Sequence, residues 1–212
     1  MKKSATLSLG CLIAFAAFAQ AQTPIKTEYY PLEIGKRWTY RHIDMKAPQG
    51  KAAPKRTVVI EVERDEPYVE KKTVKGTTTE KKYAGFLLKM TSGDKTTRDH
   101  VVVTEEGVCR VQVADTAITP PVLFLKFSVK PGETWKCDSV SGNTAIKGTF
   151  TFTGERVRVP HGEYDALHIS FQGENQVAFD NWFVEKIGVV KHRVRGKNFD
   201  IVMELEKVET AK

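Results

Sequence analysis

The chain has 212 residues, 41% of them hydrophobic and 28% charged, enough for one domain with a proper core. The apolar run near the N-terminus is too short to cross a membrane as a helix and no other segment could, so no membrane-spanning helix is expected. The formal charge of +7, or +5 once Lys2 and Lys3 are lost, would steer encounters with lipopolysaccharide, anionic lipid or acidic glycan, but surplus lysine also simply keeps a surface soluble.

The first residues read as a secretory signal. Lys2 and Lys3 form a positive start, an apolar stretch runs from Leu7 to Phe18, and Ala19-Gln20-Ala21 supplies a small-x-small cleavage site. The expected organisation is a signal peptide over 1–21 and a single all-β domain over 22–212, periplasmic or secreted. Leu9-Gly10-Cys11 is a weaker rival as a lipoprotein box, because Ser8 stands where such a box wants Leu and almost no apolar core precedes it. Export also argues against a nucleic-acid partner.

Beyond the leader, apolar residues recur with period two rather than at helical spacing. The first expected strand is Arg37–Ile43. Val58, Ile60 and Val62 then alternate with Thr57, Val59, Glu61 and Glu63. Asp44–Lys55 between them reads as a loop, and the charged, Thr-rich Lys71–Lys82 as an exposed, projecting hairpin. Further strands are expected at Tyr83–Met90, His100–Thr104, Val108–Val113 and Val122–Ser128. Ile146, Phe150 and Phe152 share one face of a long strand, and Leu167, Ile169 and Phe171 one face of the next. Phe179–Val184, Gly188–Val194 and the alternation Phe199, Ile201, Met203, Leu205 complete the set. Turn residues at Ser92-Gly93-Asp94, Lys130-Pro131-Gly132, Pro160-His161-Gly162 and Arg195-Gly196-Lys197-Asn198 separate the runs. The expected fold is mainly β: an antiparallel curved sheet forming an open barrel or sandwich, with a half-barrel like the periplasmic lipoprotein carriers as the alternative.

Two halves, about 29–113 and 124–208, echo each other. Gly35-Lys36-Arg37-Trp38 is matched by Gly132-Glu133-Thr134-Trp135, and Val103–Val108 by Val184–Val189. Gly35, Trp38, Gly132, Trp135, Trp182 and Gly188 are therefore expected as structural anchors. Tyr30–Tyr40, Lys130–Trp135, Val159–Ala166 and Trp182–Lys191 together resemble a family of exported bacterial β-rich proteins of uncharacterised role. The resemblance implies fold and compartment, and no catalytic residues.

The residues carry little chemistry. His42, His100, His161, His168 and His192 form no His-x-His or His-x-x-x-His pair and there is no Cys-x-x-Cys, so no metal and no cofactor is expected. His161, Glu163 and Asp165 crowd one turn, and Glu61, Glu63, Asp65 and Glu66 make an acidic stretch; both read as solvated surface. Cys109 and Cys137 survive leader removal and could form a disulfide that would stabilise the fold by about 3 kcal/mol, or remain two buried thiols on separate strands. Arg156 and Arg158, with Lys191, Arg193 and Arg195, would line an anionic-ligand patch if their strands were neighbours; otherwise they are the wet face of a sheet. The function expected is a non-catalytic binding or envelope-assembly domain, with a carrier or sensor of a lipid or other apolar ligand as the alternative. A hydrolase is the weakest reading, since no nucleophile with its base is recognisable.

Overall fold

A computed structural model describes residues 27–47 and 56–211; the leader with Cys11 and most of the Asp44–Lys55 loop lie outside them. A single 3-10 turn, Thr27–Tyr29, leads into thirteen strands. They are β1 (Lys36–Asp44), β2 (Arg56–Asp65), β3 (Tyr68–Val74), β4 (Thr77–Ser92), β5 (Lys95–Val103), β6 (Gly107–Val113) and β7 (Thr116–Lys126). The second run is β8 (Thr134–Ser141), β9 (Thr144–Val159), β10 (Gly162–Gly173), β11 (Ala178–Val184), β12 (Gly188–Arg195) and β13 (Asp200–Thr210).

The strands follow one another antiparallel around a curved wall. β13 returns to pair with β1 over Lys36↔Thr210 to Asp44↔Ile201. β2 pairs with β4 over Val58↔Ser92 to Asp65↔Phe86, which closes twelve strands into a barrel and leaves β3 outside, paired to the first half of β4. The expected antiparallel curved sheet is thus a closed barrel rather than an open one, a half-barrel or a sandwich. Closure satisfies the backbone groups that an open edge would leave unpaired. The projecting hairpin expected at Lys71–Lys82 is the β3–β4 ribbon. β3 itself and β8 escaped the strand assignment: Tyr68–Val74 is mostly polar, and Thr134–Ser141 buries only Cys137 and Ser139.

Alternation sorts the wall into two faces. Trp38, Tyr40, Val58, Val62, Leu88, Val101, Val108, Phe150, Phe152 and Ile169 point inward into one contiguous core. Outward positions carry cross-strand ion pairs: Arg37 with Glu61 (3.0 Å), Arg98 with Glu63 (2.8 Å), and Arg41 and Lys191 both with Glu204. A barrel whose outer face meets lipid is built the other way round, apolar outside.

The end of the barrel where β1 begins is filled. Tyr30, buried, stacks on Trp38 with ring centroids 6.2 Å apart and meets Phe124 (5.8 Å) and Phe183 (6.0 Å) edge-on. Burial pushes its hydroxyl up to about 12. Burying such a ring stabilises the fold by roughly 1.5–3 kcal/mol. The Trp38 indole N–H donates to the Ile187 carbonyl at 2.6 Å and the Tyr40 hydroxyl to Val189 O at 2.8 Å, tying β1 to the start of β12 and the turn before it.

Each run of wall strands also throws a ribbon over its own outer face. The β3–β4 ribbon lays Tyr68 and Tyr83 over Val102, Cys109 and Leu123 of β5, β6 and β7. In the second run the ends of β9 and β10 reach β13, where the His161 amide donates to Leu205 O at 2.9 Å, and Val157, Val159 and Ala166 are buried. Gly35 and Gly132, both at φ +82°, precede the first strand of each run, and Trp38 and Trp135 follow at the same offset.

Gly188, at φ +101°, packs on the Trp38 indole: a Cβ there would lie 3.1 Å from Nε1 and 3.3 Å from the ring carbons. The indole is held by its own hydrogen bond and cannot give. Gly188→Ala should lower unfolding free energy by about 2 kcal/mol in urea titration. Gly76→Ala, at φ +82° with open space around it, carries the backbone penalty without the collision and should cost less. Equal losses would show that Trp38 is not held there.

Candidate functional site

Among the described residues, none fills the opposite end of the barrel. Two adjoining cavities, of about 350 and 400 Å³, occupy the interior and share Arg110, Val113, Asn181, His192 and Val194. One reaches the turns after β8 and β10 at Thr144, Ala145, Asn175 and Val177. The other runs down past Met90, Ile60 and Val58 to Tyr40, Trp38 and the Tyr30 plug. The walls are chiefly apolar. Phe171 and Phe179, stacked at 4.7 Å, form part of the lining, backed by Phe150, on which Trp135 lies parallel at 5.2 Å. Rings locked against one another on neighbouring strands hold the wall apart instead of collapsing into the space.

A few polar groups face this lumen. His192 Nδ1 is 2.8 Å from Asn181 Oδ1 across the β11–β12 pair, an arrangement in which the ring donates and the amide oxygen accepts. Burial pushes the His192 imidazolium down to about 4, with the nearby Arg110 charge adding to the effect, so the ring is neutral at pH 7. Its remaining accessible surface belongs to the lumen. Arg110 lies over the Phe124 ring, 4.9 Å from its centroid. Its Nε is buried and 3.6 Å from Asp99 Oδ2, beyond hydrogen-bond reach, while Asp99 Oδ1 already accepts the Ala114 amide at 2.9 Å. These groups were missed in the sequence, yet left a signal. Asp99, Arg110, Asn181 and His192 each interrupt the inward, apolar parity of a strand with a polar residue.

The five-cation patch does not assemble. β9 and β12 are separated by β10 and β11, so Arg156 and Arg158 are not beside the basic residues of β12. Most of these cations are engaged: Arg156 with Glu163 (2.9 Å), Lys191 with Glu204 (3.3 Å), Arg193 with Asp200 (2.6 Å) and Arg195 with Asp180 (2.6 Å). The antiparallel register places these acids opposite or diagonal to the bases, as cross-strand pairing favours. Burial alone would raise the Asp180 carboxyl, but the His168 hydrogen bond and the Arg195 charge outweigh it and hold it below its usual value.

Trp182 faces outward, unlike Trp38 and Trp135. His168 stacks on it at 4.5 Å, Lys191 lies 5.4 Å from its centroid and its N–H donates to Glu155 at 3.0 Å. The turn at His161, Glu163 and Asp165 is dispersed: His161 contacts the Tyr164 hydroxyl, Glu163 pairs with Arg156, and Asp165 is exposed. In the acidic stretch, Glu61 pairs with Arg37, Glu63 with Arg98 and Glu66 with Arg64. Among the described residues no group of three or more His, Cys, Asp or Glu side chains is placed to hold a metal ion.

Cys109 and Cys137 are both free and buried, so the disulfide is corrected to two thiols. They lie on opposite faces of the wall. Cys109 sits outside under Tyr68 and Tyr83, where burial raises its thiol to about 11, and Cys137 sits in the inner core near Ser139 and the Ile146 carbonyl.

No family model matches the sequence, and no curated protein does. Among solved structures, a Bacteroides fragilis protein described as exported and of YmcC-like fold is similar at 13% identity and a TM-score of 0.42, covering 85% of this chain and 98% of its own. A Parabacteroides distasonis protein described as a lipoprotein is similar at 9% identity and a TM-score of 0.41, with the same coverage. Likeness at this level gives no ground for assigning a role. Among the described residues no helix is long and apolar enough to cross a membrane.

Two outcomes follow from this geometry. The unfolded chain protonates His192 near its usual 6.5 and the folded barrel only near 4. Stability should therefore be full above pH 6.5 and decline toward pH 4 by on the order of 1–3 kcal/mol, then level off for this group. His192→Asn should flatten that slope in urea titrations across the window; an unchanged slope would place the pH dependence elsewhere. A reductant should leave the melting temperature unchanged, and two thiols should react with a thiol reagent only once the mature protein is unfolded. A reductant-sensitive melting point would restore the bridge.

Proposed function

We propose that the protein is an exported, non-catalytic binding protein that carries or senses an apolar molecule within its barrel. The leader-like residues 1–21 support export to the periplasm or beyond. The observation that carries the binding reading is the lumen itself: an apolar interior space, closed at one end by Tyr30 and left open at the other by the described residues, of the size that small-molecule sites occupy. A wall built only to present a surface to a protein partner would gain stability by filling that space, since empty apolar volume forfeits packing. The charged exterior keeps the loaded barrel in water. A partner-binding or envelope-assembly role is the second reading, and the two exposed ribbons are the parts that favour it.

Native mass spectrometry of the mature protein from its host envelope should show a one-to-one adduct that organic extraction removes. Val194→Trp, which puts a large ring into the space shared by both cavities, should abolish the adduct and the uptake of an uncharged naphthylamine fluorophore. A clean unliganded mass with no fluorophore uptake would sink the carrier reading in favour of a protein partner.

A further inference from the structure

We propose that Arg110 is the head-group anchor of the lumen, and that the ligand is a single-chain amphiphile with one carboxylate, bound with the head on the guanidinium and the chain against the apolar wall. This rests on the binding role argued above and names its ligand class.

Of the formally charged side chains lining the two cavities, Arg110 is the cation and Asp99 the anion. A guanidinium in an apolar enclosure is costly unless its donors are met. Here they are incompletely met. The Nε is buried without a hydrogen-bond acceptor: Asp99 Oδ2 is its ion-pair partner at 3.6 Å but beyond hydrogen-bond reach, and Asp99 Oδ1 accepts the Ala114 amide instead. Neutral His192, already tied to Asn181, supplies neither a competing anion nor a second cation. The Phe124 ring beneath the guanidinium fixes it in place, a geometry arginine uses when it must present its donor fork to a planar anion. A carboxylate matches that fork with two parallel charge-assisted hydrogen bonds. Asp99 already offsets part of the Arg110 charge at 3.6 Å, so a head with one negative charge adds less repulsion beside that carboxylate than a dianionic head would. On one side of Arg110 the wall carries Ile118, Ile146 and Phe179, which offer contact to hydrocarbon, with Thr144 and Asn175 farther along the same cavity.

The test is calorimetric titration of the full mature chain with dodecanoate and with dodecanol, which differ only at the head. Wild type should bind dodecanoate about 10- to 100-fold more tightly, the worth of hydrogen bonds to a charged group. Arg110→Gln should erase that preference while keeping dodecanol affinity, which also reports that the barrel is intact. Asp99→Asn removes the competing carboxylate and should tighten dodecanoate several-fold without changing dodecanol. Equal binding of both ligands by wild type would overturn the head-group assignment and leave the lumen as a binding site. A preference that survives Arg110→Gln would overturn Arg110 as the anchor. Binding of neither ligand would overturn the assignment together with the carrier reading. Should Arg110→Gln fail to fold, Asp99→Asn decides: unchanged dodecanoate affinity overturns the proposal.

Discussion

The backbone pairing of β2 with β4 makes an inside and an outside. It joins the two ends of a long antiparallel ribbon, so that every wall strand has two neighbours and β3 is pushed out of the ring. Once the wall is closed, the two-residue alternation of each strand becomes a choice between lumen and solvent. Val58, Ile60 and Val62 on β2 face Met90 and Leu88 on β4 within the barrel, while Glu61 and Glu63 stay on the wet side. The extruded ribbon is then free to lie back on the wall and cover Val102, Cys109 and Val111, outward residues that would otherwise expose apolar surface.

Closure encloses a volume, and the chain divides it. Tyr30, brought in by the segment before β1, turns one end into a dense aromatic knot with Trp38, Phe124 and Phe183, locked by the indole bond to Ile187. The rings of Trp135, Phe150, Phe171 and Phe179 instead stack along the wall and leave the centre clear. A plugged end and an open end give the space a direction, and the polar residues midway along it give that space a chemistry. The lumen is therefore a better basis for a functional reading than the outer surface, where cations are mostly matched by acids across the strands.

Much of the architecture could be read from the residues. The period-two runs of β2, β9, β10 and β13 are visible because one face of each is buried and the other wet, and the Gly, Pro and Asn turns between them mark short connections. The paired segments Gly35–Trp38 and Gly132–Trp135 occupy equivalent places, each entering the first of six consecutive wall strands once β3 is set aside. Strands without that contrast were harder to see. β3 lies on the outside, so its mostly polar residues never alternate, and β8 alternates with too few apolar residues.

The site was not legible in the same way. Arg156 and Lys191 look like parts of one basic surface until strand order puts two strands between them, and Cys109 and Cys137 look like partners until the wall puts them on opposite faces. Asp99 and Arg110 lie on neighbouring strands, as do Asn181 and His192, but the two pairs are distant in the chain and come to line one lumen. A leader-type pattern at residues 1–21, the β class and the buried face of each regular strand could be read from the residues alone, because leader chemistry and strand periodicity are local. Closure of the barrel, the space the described residues leave inside it and the gathering of the two polar pairs around that space arise at the level of tertiary structure, because each depends on which distant strands become neighbours, and a one-dimensional pattern carries no record of that.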